Sequence, residues 1–175
     1  MFNRKLKISK DELEQRGRSL TPMLYLKSKE LADDLSDASN AKVEIVDNHL
    51  LLFNYCCTIY YFYAGLKIFE KYGSNKRGVL MGSTENTLIQ MTGHNYKLNQ
   101  VELDKESESL THTNRKLAPY AMNWIQEGDE NPKGTMLWEF YKALSECGVG
   151  LLTAMRVTDT IFDGMKSIQK LIKRF

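Results

Sequence analysis

The sequence predicts an all-α fold, a single domain over residues 1–175 built as an up-and-down bundle of five to seven helices around a central apolar helix at about 43–72. Three observations carry that expectation. The chain is rich in Leu, Lys, Glu, Ala, Met and Gln, whose straight side chains lose little freedom in a helix, and it has only three prolines. Residues 48–66 run without a formal charge in a chain that is otherwise a quarter charged. Elsewhere apolar residues recur every three to four positions between recognisable start and stop signals. A chain of 175 residues can bury roughly two-thirds of its unfolded surface, enough for one real core.

The elements follow in order. Ser9-Lys-Asp-Glu12 has capping-box spacing and opens a short first helix near residue 10. Thr21-Pro22 reads as a second start, threonine as cap and proline at the first helical position, for a helix ending between Ser36 and Asn40. The central helix follows, stopped by Gly73. Along it Asp47, Asn54, Thr58, Tyr61 and Gly65 share one polar face, which a membrane span would not carry. A bundle helix enclosed by others is therefore expected.

Residues 73–99, with four glycines, read as a loop carrying a short helix around Glu85 to Thr92. A helix from Leu98 to about Lys116 is expected next, restarted or kinked at Pro119. Residues 129–135 form a turn with Thr135 as the cap of a helix over Met136 to Cys147. After Gly148 and Gly150 a last helix spans 151–174, with Leu151, Met155, Phe162, Met165 and Ile172 on one apolar face.

Charge is uneven. Residues 1–18 hold six basic and three acidic groups, residues 164–175 four basic and none acidic, and the interior fourteen basic against nineteen acidic. Arg4, Lys5, Lys7, Lys166, Lys170, Lys173 and Arg174 are the candidate nucleic-acid contacts. The C-terminal run is also what the last turns of any helix favour, since cations there oppose the negative end of the macrodipole. Tyr55, Tyr60, Tyr61 and Tyr63 are the candidate protein-interface residues, since tyrosine is favoured in interface cores.

Catalytic motifs are missing. Gly73-Ser-Asn-Lys-Arg-Gly78 has a phosphate-loop gap but is followed by Val79 and Leu80 in place of lysine and hydroxyl. His49, His94 and His112 are far apart and lack zinc spacing. Cys56, Cys57 and Cys147 form no paired framework, and read as small buried hydrophobes of a reducing, cytoplasmic compartment. The charged N-terminus is not a secretory signal. The acidic run 102–109 reads as a solvated helix face. No cofactor and no metal are expected.

The segment FYAGLKIFEKYG, 62–73, followed after a loop by GHNYKLNQVEL, 93–103, resembles the middle of HEPN-type helical domains. The matching residues are Gly65, Lys67, Gly73, Gly93, His94, Asn95 and Leu98, with the Gly-His-Asn turn opening the next helix and His94 capping its start. The family's ribonucleases carry an arginine followed four to six residues later by a histidine, a spacing absent from this chain. The resemblance therefore implies a non-catalytic module of the kind found in prokaryotic toxin, immunity and anti-phage systems.

The expected function is a non-enzymatic accessory or scaffold subunit of a larger multi-protein complex, in a prokaryotic defence (anti-phage or plasmid) or nucleic-acid-processing system. Its partners would be larger protein subunits, with nucleic acid at the basic termini. The alternatives are a degenerate HEPN-type RNA-binding protein or ribonuclease, and a membrane-associated helical protein.

Overall fold

The computed structural model describes residues 8–38, 46–124 and 133–175, with the side chains of 46–48 left aside. It is all-α. The helices are α1 (Lys10–Ala38), α2 (Val46–Tyr72), α3 (Ser74–Tyr96), α4 (Gln100–Leu117), α5 (Met136–Ala143), α6 (Leu151–Met155) and α7 (Thr158–Arg174), and no strand occurs among the described residues. Helices α1 to α4 run up and down in sequence. Helix α7 lies parallel to α2: Tyr60 bonds the Thr160 carbonyl and Lys71 those of Ile172 and Lys173. The expected start of the central helix, 43–45, lies outside the described residues.

Residues 52–60 of α2 are all buried, so this stretch is enclosed on every side. Its polar stripe is satisfied within the fold. Asn54 donates to Ser109 at 3.0 Å, Thr58 shares hydrogen bonds with Thr113 (2.8 Å) and Asn114 (2.9 Å), and Tyr61 donates to Glu85 at 3.2 Å. Glu85 also accepts from Asn114, which ties α2, α3 and α4 together. Gly65 ends the stripe beneath the Arg77 guanidinium. Leaving any of these buried groups unpaired would cost about 1–3 kcal/mol, so the ladder fixes how α2 and α4 align.

The first two expected helices are one. Ser9 accepts from the Glu12 amide at 3.1 Å, as expected, while the Glu12 carboxylate turns to Arg16. Thr21 is not a cap: its hydroxyl donates to the Gly17 and Thr84 carbonyls inside the bundle. Pro22 is tolerated within α1 because it lies on the exposed face with Arg18, whose unpaired carbonyl can meet water.

The expected loop over 73–99 is instead the long helix α3, begun directly after Gly73, whose φ of 81° closes α2. Leu80, Met81, Thr84, Leu88 and Thr92 are its buried side. Two threonines in that row hide the apolar period, and the helix exists because α1 packs on it. At Gly17 the helices approach so closely that a Cβ would collide with the Leu80 carbonyl.

Helix α4 begins two residues later than expected, at a capping box in which Asn99 accepts from the Glu102 amide and Glu102 accepts from the Asn99 amide. Asn99→Ala is expected to cost about 1 kcal/mol and to speed hydrogen exchange selectively in the first turn of α4. Pro119 ends α4 in a 3-10 turn, Ala118–Tyr120.

Thr135 caps α5, as expected, and α5 passes into a 3-10 turn, Leu144–Cys147. The expected last helix is broken. Bonds of i to i−3 type from Arg156 and Val157 tighten the chain between α6 and α7, and Thr158 fixes the break by donating to the Met155 carbonyl at 2.6 Å and accepting from Tyr141 at 2.7 Å. The break rotates the helical phase. Val157, Ile161, Met165, Ile168 and Ile172 face the core, whereas Met155 and Phe162, expected on the buried face, are exposed.

Candidate functional site

The candidate interface tyrosines divide by burial. Tyr55 and Tyr60 are fully buried, one donating to Glu146 and the other to the Thr160 carbonyl with its ring against Gly164. Neither ring can meet a partner in this fold. Tyr61 is half-buried and engaged with Glu85. Tyr63 opens onto a surface groove, where its ring packs edge-on against Trp124 at 5.5 Å.

That groove has a volume of about 590 Å³ and is lined by Tyr63, Trp124, Phe162 and Met165 together with the charged residues Asp159, Asp163 and Lys166. Trp124 is held by donating to the Ala121 carbonyl at 2.9 Å. Phe162 is 40% exposed, and elsewhere Leu152 (79%), Met155 (44%) and Met122 (59%) also present apolar side chains to solvent. The sequence hid this face because its period suggests a buried one.

The basic candidates separate too. Arg4, Lys5 and Lys7 lie outside the described residues. Lys166 pairs with Asp163 at 3.0 Å beside the groove. Lys170, Lys173 and Arg174 are exposed at the end of α7, where Lys71 joins them from α2.

Of the residues carrying the HEPN resemblance, Gly93, His94 and Asn95 are in the last turn of α3, and Leu98 bonds the Gly93 carbonyl at 2.9 Å. His94 is exposed and does not cap α4; Asn99 does. Lys67 pairs with Glu70 and sits 5.7 Å above the Tyr63 ring.

One cluster joins residues too distant in sequence for their spacing to reveal it. Glu146 accepts from Lys116 and Tyr55, and His112 Nε2 lies 3.5 Å from it. Burial works to raise the Glu146 carboxyl, yet the bonds from Lys116 and Tyr55, the Lys116 charge and His112 outweigh it and hold it below the usual range. Both carboxylate oxygens are engaged, so the cluster clamps α4 and the turn after α5 onto α2. Elsewhere on α4, Glu106 is 5% exposed, and burial pushes its carboxyl up to about 7 against the opposing hydrogen bond from Asn54.

All three cysteines are buried, and burial pushes each thiol upward, away from the reactive thiolate. Among the described residues no group of three His, Cys, Asp or Glu could hold a metal ion, and no helix is long and apolar enough to cross a membrane. Compared with known proteins, the chain matches no family model, no curated protein and no solved structure.

Proposed function

We propose that the chain is a non-catalytic accessory subunit that docks onto a larger protein through the apolar face around the Tyr63, Trp124 and Phe162 groove. The observation that carries this reading is the groove itself, where Tyr63, Trp124, Phe162 and Met165 come together with Phe162 40% exposed. Large apolar side chains grouped at a concave surface are what a partner's side chains fill, with the charged lining residues setting orientation. A prokaryotic defence or nucleic-acid-processing assembly is the setting that fits both the resemblance to HEPN-type modules and the basic end of the bundle.

Phe162→Ala is expected to lower the thermal midpoint by only a few degrees, since the ring is already 40% exposed. The same change should sharply reduce recovery of a stoichiometric larger partner in affinity purification from the source cell. A wild-type chain recovered alone, or a partner fully retained by the variant, would refute docking through this face.

A further inference from the structure

The bundle is electrically lopsided along its axis. At one end, where α1 and α3 begin and α2 and α7 finish, the chain gathers Lys10 and Arg16 from α1, Lys67 and Lys71 from α2, Lys76 and Arg77 from α3, and Lys170, Lys173 and Arg174 from α7. The carboxylates there are largely engaged: Glu12 with Arg16, Glu14 with Lys10 and Arg18, Glu70 with Lys67. Lys170, Lys173 and Arg174 have no carboxylate partner among the described residues. The opposite end is acidic, with Asp33, Asp34 and Asp37 closing α1, Glu102, Asp104 and Glu108 opening α4, and Asp159 and Asp163 opening α7.

Compensation of the α7 macrodipole does not account for the basic end. The Lys71 ammonium donates to the Ile172 and Lys173 carbonyls at 2.8 and 3.2 Å, so a cation from another helix already sits on the last turn of α7. Burial, and then the charge of Arg16, hold Lys71 below the usual lysine range. Lys173 and Arg174 add to a charge already in surplus.

Aromatic rings accompany the cations. The Tyr72 ring lies 5.9 Å from Arg16 and 5.4 Å from Lys71, and Phe69, in the last turns of α2, is 39% exposed. Of the exposed large hydrophobics among the described residues, Phe69 is the one that belongs to the helix ends gathered here. A membrane-inserting face needs a broad apolar strip, whereas an exposed ring at a basic end suits stacking on a base.

We propose that this end of the bundle binds the phosphate backbone of a single-stranded nucleic acid, with Lys71, Lys170, Lys173 and Arg174 neutralising phosphates and Phe69 stacking on a base. The inference stands on the basic end alone and is independent of the apolar docking face.

Fluorescence anisotropy of labelled oligo-uridylate and oligo-thymidylate across a salt series tests it. Four phosphate contacts give a slope of about −3 in log affinity against log salt, from roughly 0.7 per contact on single strands. Lys173→Gln with Arg174→Gln is expected to weaken binding about tenfold at low salt and to make the slope shallower by about 1.4. Phe69→Ala should weaken binding by at least about fivefold at unchanged slope, as loss of one stacked base does. Lys97→Gln with Lys105→Gln, at the acidic end, should leave it unaltered. Absence of binding at low salt, equal binding to poly-glutamate, tighter binding to phosphatidylserine vesicles than to either oligonucleotide, or indifference to the Lys173 and Arg174 changes would each overturn the proposal.

Discussion

Gly17→Ala is expected to destabilise the protein by about 3 kcal/mol, the upper part of the range for overpacking a rigid contact. The obstacle is backbone. A Cβ at this position would collide with the Leu80 carbonyl and crowd Ser83 Cβ and Thr84 Oγ1, each at 3.1 Å. Relief requires α1 and α3 to separate, and separation breaks the bonds from Thr84 to the Gly17 carbonyl (3.1 Å) and from Thr21 to the Thr84 carbonyl (3.3 Å). Urea denaturation measures the loss, and the thermal midpoint should fall by about 6–12 °C for a chain of this size. Gly78→Ala supplies the contrast: its Cβ would meet nothing within 4 Å, so it should stabilise α3 by about 1 kcal/mol. Equal effects at the two glycines would show that helix propensity, and not the α1–α3 approach, governs this face.

Glu106→Gln is expected to make the protein about 3 kcal/mol more stable at pH 8 while leaving it nearly unchanged at pH 4. The Glu106 carboxyl is raised from 4.5 to about 7, chiefly by burial, with the Asn54 hydrogen bond opposing. Its negative charge in turn helps raise the Cys57 thiol and the Tyr96 hydroxyl, and no salt bridge engages it among the described residues. Below about pH 4.5 both folded and unfolded chains hold the proton, and the stabilising contribution of the neutral acid is complete. As pH rises towards 7 the unfolded chain ionises first and folding must retain a proton, so that contribution is lost through the folded value. The shift corresponds to about 3 kcal/mol at 1.36 kcal/mol per unit. Glutamine is permanently neutral and should flatten this dependence. Parallel stability curves for both proteins between pH 4 and 8 would show that Glu106 titrates normally.

The helical class and the central position of α2 were legible because burial all round leaves a plain mark, an uncharged stretch with its polar groups on one face. Gly73 and Thr135 were legible because their roles are local. The single span of α1 was not, since Thr21 and Pro22 have the local chemistry of a helix start, and only Thr84 across the interface reveals that Thr21 bonds elsewhere. Helix α3 was obscured by its buried threonines and by Gly78 and Gly82, whose unfavourable propensity is overcome by packing on α1. Phe162 was misplaced because the turn at Arg156 and Val157 shifts the phase between α6 and α7. The basic end was half visible: its residues are plain in the sequence, but their convergence from four helices depends on the up-and-down path.

The hydrogen-bonded ladder of Asn54, Thr58 and Tyr61 also has a mechanical meaning. Slipping α2 by one turn, about 5.4 Å, would leave these buried groups facing the wrong partners, so sliding is a costly mode of motion. With 27 residues, α2 is a strut about 40 Å long between oppositely charged ends. A partner that touches both ends must match that distance. The molecule is thereby suited to act as a spacer of set length, holding whatever occupies one end at a constant remove from whatever occupies the other.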